Sequence, residues 1–323
     1  MTHGTHSSCE RSETPGRNRS VYGTPPPRSG VNRQTVGTLL VLVASAGFGT
    51  LAIFGKLAAQ AGLNITSLLT FRFLIGTTLL WVVLALVGRA RLLRGRQLGV
   101  ALGLGTLYAV FTAFFFRGLD FVPAGVAGIT FYTYPIYVYV ISALALDEPL
   151  SARKLVALAA SLAGVALIVG GDVAGIDLVG VALVLVAALG YAGYITGSRA
   201  ALASTDADVL AGTALVATAL SYLAFGLASG RLTVPAGTEQ WLVVLGIAVF
   251  GTTVPLFLYV LGLDRVEASV ASVLGTSEPA VTVLLGVVLL GEVVAPVVVL
   301  GGALVLGGVV LVQSDLGGVR PPQ

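Results

Sequence analysis

Cysteine and histidine are almost missing. The 323 residues hold one Cys, Cys9, and two His, His3 and His6, all in the polar stretch before residue 35. A single cysteine cannot form a disulfide within the chain. With no further His or Cys, a Ser-His-Asp triad, a thiol nucleophile and an H-E-x-x-H zinc site are excluded. His3, His6 and Cys9 do form H-x2-H-x2-C, but within Ser/Thr/Arg/Pro-rich sequence of the kind that stays disordered, so no metal or cofactor is expected. Charge is scarce too: Asp, Glu, Lys and Arg make up 10% of the chain, against ~25% in soluble domains. Lysine is reduced to Lys56 and Lys154 while arginine is common, which points to a GC-rich bacterial source. A Walker motif is absent as well. Gly49 stands one residue too far from Gly55-Lys56, and Leu57 occupies the position of the Mg²⁺-binding Ser or Thr.

What is there is apolar. Hydrophobic residues make up 56% and glycine contributes 42 residues, the mixture expected of lipid-embedded helices whose backbones approach closely. Long runs such as Leu178–Leu189 do not alternate apolar with polar, which excludes a transmembrane barrel. Ten apolar stretches approach the ~20 residues that a bilayer crossing needs. They fall at 36–56, 66–88, 97–118, 124–146, 153–171, 178–199, 207–229, 240–262, 268–290 and 295–313, and define an all-α polytopic membrane protein. Residues 1–35 form a disordered cytoplasmic tail without the apolar region of a signal peptide, and 314–323 a C-terminal stub. With both termini cytoplasmic, about fourteen basic residues face inward, among them Arg89, Arg91, Arg94 and Arg96 in one loop. Lys56, Arg117 and Arg231 face outward, and that asymmetry sets the orientation. The net charge of +3 then describes loops beside anionic lipid and gives no reason to expect nucleic-acid binding.

The chain matches itself at a displacement of 144 residues. Gly118-Leu119-Asp120 falls on Gly262-Leu263-Asp264, Pro135 on Pro279, Glu148 on Glu292 and Gly164-Val165 on Gly308-Val309; 15 of the 51 positions from 118 to 168 agree without a gap. Each unit holds five spans, so the second enters the membrane inverted. Inverted repeats are a common plan for secondary transporters, with substrate held near midplane between the halves. Arg153-Lys154 on the inner side are replaced at the matching outer positions by Val297-Val298, as inversion requires.

With these features, together with Arg72-Phe73 in the second span and the turns Leu146-Asp147-Glu148 and Leu290-Gly291-Glu292, residues 36–313 resemble the drug/metabolite transporter superfamily, in the group with two EamA-type repeats. The resemblance implies ten helices in two five-helix repeats, 36–171 and 178–313, with both termini cytoplasmic. It also implies movement of small organic metabolites across a bacterial inner membrane, commonly as export and with proton or exchange coupling. A monomer is expected. Asp147 departs from the second repeat, which has Gly291 there.

Pro135 and Pro279 each lie about eleven residues into a span, ~16 Å deep at ~1.5 Å per residue. A helix-interior proline frees the carbonyl four residues earlier, here Phe131 and Gly275. Such carbonyls need protein or a wet cavity around them, although a structural kink alone would also account for the prolines. Glu278 precedes Pro279 at midplane, where a lone charge costs ~2.5–3.5 kcal/mol on insertion scales. It suits a substrate cation or a coupled proton, or else a carboxyl that ties helices together. Its repeat mate is Tyr134; Tyr132 and Tyr134 are too deep for an interface belt, and each phenol wants a hydrogen-bond partner. Arg72, about six residues into its span, either meets a substrate carboxylate or Glu278, or snorkels outward. Arg117 and Asp120 are expected to pair, Glu148 and Glu292 to cap their turns, and Trp81 and Trp241 to sit in interface belts. Ala159/Ala163 and Ala303/Gly307 read as helix-packing faces.

These residues support a secondary carrier for a small metabolite, with Glu278, Arg72, Tyr134, Tyr132, Phe131 and Gly275 at its site. A lipid-carrier flippase or a channel is the alternative, although a channel would want a filter motif or a ring of charges. A membrane enzyme would need a nucleophile or metal set, and the spans offer no His or Cys.

Overall fold

The computed structural model describes Met1 and residues 33–146, 152–170, 175–202, 204–263, 265, 274–275 and 277–316. The expectations for His3, His6 and Cys9, for the turn holding Asp147 and Glu148, and for the repeat match at Asp264 lie outside these residues. Within them the regular structure is helical throughout. The elements are α1 (Arg33–Gly49), α2 (Leu51–Gln60), α3 (Ile65–Leu86), α4 (Gly95–Gly118), α5 (Ala124–Phe131), α6 (Tyr134–Leu146) and α7 (Ala152–Gly170). Then follow α8 (Leu178–Ala201), α9 (Ala207–Ala228), α10 (Gly237–Ala248), a π-helical turn (Val249–Thr253), α11 (Val254–Leu263), α12 (Ser277–Leu290) and α13 (Pro296–Leu316).

Six helical stretches among the described residues are long and apolar enough to cross a bilayer: Thr35–Gln60, Ile65–Leu86, Gly95–Gly118, Leu178–Ser198, Asp208–Ala228 and Gly237–Tyr259. Three shorter apolar helices accompany them. The protein is multi-pass. Large apolar side chains such as Leu39, Leu220, Phe250 and Val288 are exposed on its outside, which suits a lipid surround and not water.

Several crossings are interrupted, and each interruption is closed by a hydroxyl. Thr50, between α1 and α2, donates its Oγ1 to the Gly47 carbonyl at 2.6 Å. Thr133, between α5 and α6, donates to Thr130 at 2.8 Å. Ser277 opens α12 and donates to Leu274 at 2.7 Å. In the π-turn, Thr252 donates to Ile247 at 2.9 Å and Thr253 to Ala248 at 2.8 Å. Away from water, these hydroxyls serve carbonyls that a broken helix leaves without partners. Thr133 and Ser277 are repeat mates. The prolines therefore act differently from the sequence expectation. Pro135 and Pro279 sit in the first turns of α6 and α12, where a missing N–H costs nothing. Pro135 follows the break at Tyr132–Thr133 and starts a half-helix instead of kinking a continuous one. Pro255 follows the π-turn in the same way and cannot donate to Gly251; the ladder shifts by one residue upstream, with Val254 N–H reaching the Val249 carbonyl.

Glycine packing recurs in the two halves. A β-carbon added to Gly118 would lie 2.6 Å from Val184 and 3.2 Å from the Gly180 carbonyl; one added to Gly262 would lie 2.6 Å from Val41 and 3.2 Å from the Gly37 carbonyl. The packing of α4 on α8 thus repeats in the packing of α11 on α1. Helices α7 and α13 meet through Gly164 and Gly301, where added β-carbons would come within 2.5 and 2.6 Å of the opposite carbonyl oxygen. Beside them Ser161 Oγ donates to the Val305 carbonyl at 3.2 Å, a contact between residues separated by the repeat displacement of 144. The expected face at Ala159/Ala163 and Ala303/Gly307 is corrected here: these four residues are exposed. Two glycines allow a closer backbone approach than alanine, so the contact forms along their stripe.

Candidate functional site

The interruptions surround one cavity of about 180 Å³. Thr282 Oγ1 donates to the Gly49 carbonyl at 2.9 Å, tying the first turns of α12 to the α1–α2 break. Gly47 lies against Pro255 and the Phe250 carbonyl, which brings the π-turn to the same place. One wall of the cavity is aromatic: Tyr108, Phe111 and Phe115 on α4, Phe131 and Tyr134 on α5 and α6, and Tyr191 and Tyr194 on α8. Ring centroids lie 4.7 Å apart for Tyr134 and Tyr191 and 5.1 Å for Tyr108 and Tyr194, within the range of favourable edge contacts. The facing wall comes from α1, α2, α11 and α12 and carries Phe48, Leu51, Leu256, Glu278, Pro279 and Thr282.

Arg72 enters from α3 and is 1% exposed. It does not snorkel. Its Nε donates to Thr252 Oγ1 at 2.9 Å, and its guanidinium carbon lies 4.6 Å from the Phe73 ring centroid and 5.4 Å from that of Phe116. Its NH1 has no hydrogen-bond partner among the described residues. Among the described residues no carboxylate oxygen lies within 4.0 Å of it, so the expected alternative of an Arg72–Glu278 ion pair is not formed. Glu278 shares the cavity wall with Arg72, and its carboxylate has no ion-pair partner among the described residues.

The structure gathers Glu278, Arg72, Tyr134, Phe131 and Pro279 on the wall. Tyr132 and Gly275 pack behind it: Tyr132 is 2% exposed, and its hydroxyl would lie 3.0 Å from a β-carbon on Gly275. Pro135 is also off the wall, since the helix turns past Tyr134. Thr252 and Thr282 were not singled out from sequence. The aromatic spacings 108/111/115 and 191/194 each mark one helical face, so the gathering of rings is legible in the sequence; a lone threonine at a π-turn has no such signal.

Elsewhere, Arg117 and Asp120 pair as expected, at 2.5 Å. Trp81 donates its Nε1 to the Gly212 carbonyl at 3.1 Å, so it also ties α3 to α9. Glu292 does not cap its own turn. Its carboxylate accepts from the N–H groups of Ala124 (2.6 Å) and Gly125 (3.1 Å), the start of α5 in the other half.

The family model for the EamA-like transporter family matches residues 35–170 and again 178–314. An uncharacterized transporter of Bacillus subtilis, YcbK, is 26% identical over 286 residues, 85% of this chain and 91% of the relative. An uncharacterized transporter of Archaeoglobus fulgidus is 28% identical over 256 residues, 78% of this chain and 90% of the relative. One solved crystal structure matches with a TM-score of 0.62 at 23% identity, covering 87% of this chain and 98% of its own; it shows the shared fold.

Proposed function

This chain belongs to the EamA-like transporter family, and on that premise we propose that it is a secondary active carrier exporting a small organic metabolite across the bacterial inner membrane. The proposal takes the polypeptide as a monomer of ten spans in two inverted repeats, 36–171 and 178–313, both termini cytoplasmic. The recurring glycine contacts of Gly118 and Gly262 support the repeat. Contacts of Arg89 with Asp208 (3.4 Å) and Arg91 with Asp206 (4.0 Å) support one shared side for the two loops that inversion puts inside. A cysteine at position 94, on a Cys9→Ser background, should resist an impermeant reagent added outside intact cells; labelling would reverse the orientation.

The observation that carries the reading is the cavity in which broken helices meet around Arg72 and Glu278. Its size, about 180 Å³, is below the ~300–1,000 Å³ of sites for drug-sized ligands. It suits a small solute better than a lipid-carrier headgroup. Glu278 is the group assigned to carry a proton or meet a substrate cation, and Arg72, Tyr134 and Phe131 border the substrate. Tyr132 and Gly275 support that wall from behind. The test is the pH profile of metabolite flux in proteoliposomes for wild type and Glu278→Gln. Equal rates and equal pH dependence would make Glu278 a structural residue. Labelled-lipid translocation without saturable solute flux would favour the flippase instead.

A further inference from the structure

Arg72 has more donors than its surroundings use. Nε is taken by Thr252, while NH1 is buried without a partner among the described residues. A side chain that is 1% exposed cannot solve this with water. The rings of Phe73 and Phe116 offset part of the cost of the charge, but a ring face does not replace a hydrogen-bond acceptor. Thr252 Oγ1 donates to Ile247 and accepts from Nε, and makes no hydrogen bond to NH1. The guanidinium is thereby held by the π-turn on a residue that lines the cavity, with its NH1 nitrogen left unpartnered among the described residues.

We propose that Arg72 is the docking point for a carboxylate, and that the transported class is an organic monoanion with one carboxylate on a small apolar body. This rests on the carrier reading above. With Glu278 carrying its proton, Arg72 is the one charged group among the described lining residues and balances one negative charge, whereas a phosphate dianion would leave a net charge in a low-dielectric site. Guanidinium and carboxylate match as planar partners. The apolar body then lies against Phe111, Phe131, Tyr134 and Tyr191. Thr252 acts as a positioning residue, since it fixes the guanidinium through Nε.

The test uses the purified full-length protein and two probes of equal shape, phenylacetate and phenylacetamide, with binding measured by equilibrium dialysis and thermal shift. Phenylacetate should bind and stabilise the wild type, and the amide should bind at least about tenfold more weakly, the loss of one charge-assisted hydrogen bond. Arg72→Gln should erase the preference. If that variant does not fold, Arg72→Lys keeps the charge but not the fork, and should weaken phenylacetate several-fold while leaving the amide unchanged. Arg117→Gln removes a charge away from the cavity and should preserve the preference. Equal binding of the two probes, or an undiminished preference in either Arg72 variant, overturns the proposal. Saturable solute flux without carboxylate preference would keep the carrier and remove the anion site. Carboxylate-selective binding without flux would do the reverse.

Discussion

The two walls of the cavity occupy repeat-related positions and have opposite characters. Helices α4, α5–α6 and α8 form one; α10–α11, α12 and α1–α2, their counterparts at the 144-residue displacement, form the other. Two of the three elements on the first wall, α4 and α8, run unbroken and present aromatic rings. Their counterparts are interrupted at the π-turn and at Thr50. Tyr108 corresponds to Thr252, Tyr134 to Glu278 and Phe131 to Gly275. A shared backbone plan has thus been divided into a surface that packs against an apolar body and a surface that handles charge. Broken helices offer polar backbone at depth, which a charged group needs; unbroken ones hold rings at fixed spacing.

Substitutions at matched positions can break or sharpen that contrast. The largest effect is expected at Gly105, where an added β-carbon would fall 2.0 Å from the Ala214 carbonyl oxygen of α9. Overpacking usually costs ~1–3 kcal/mol, and a backbone obstacle puts Gly105→Val at or beyond the upper end. It should give no monodisperse protein on size exclusion, whereas Val249→Ala at the counterpart should purify like wild type. If Gly105→Val shows a wild-type Tm, the unbroken wall does not depend on that close approach. Next, Glu278→Gln, which can no longer take up or release a proton, should cut flux by about tenfold or more, roughly 1.4 kcal/mol of barrier, and flatten its pH dependence. Tyr134→Phe should keep the pH dependence and lose less rate; equal losses would erase the division of labour. Thr252→Val strips an acceptor from Arg72 and a donor from Ile247, worth about 1–3 kcal/mol for each buried group left unpaired. Its Tm should drop further than that of Tyr108→Phe. Smallest is Phe131→Leu, which removes ring contacts worth ~0.5–1.5 kcal/mol and should lower Tm by a few degrees. Gly275→Ala should move Tm less still, because only the movable Tyr132 hydroxyl stands in the way.

Composition and periodicity were enough for the membrane class, and the rare residues at matching positions were enough for the repeat. Glu278 and Arg72 were visible because a charge is conspicuous in an apolar run. The prolines are legible as helix breakers, but sequence marks where a helix can break and not which turn receives the proline. Thr50, Thr133, Thr252 and Ser277 were missed for a related reason. Hydroxyl residues are common in such helices, and only the backbone path shows which carbonyl each one serves. Nor does spacing foretell that Glu292 reaches across to the other half, since its partners are main-chain N–H groups that every residue possesses.

That last contact has a consequence for biogenesis. Ala124 N–H and its acceptor are separated by 168 residues of chain. At ~5–20 residues per second of synthesis, the start of α5 leaves the ribosome roughly ten to thirty seconds before Glu292 exists. During that interval its amides have no acceptor from the second half, so the segment should linger near the aqueous boundary instead of settling. The first half is then inserted early but finished late, and a chain truncated before Glu292 would be expected to meet the quality-control proteases with α5 still unseated.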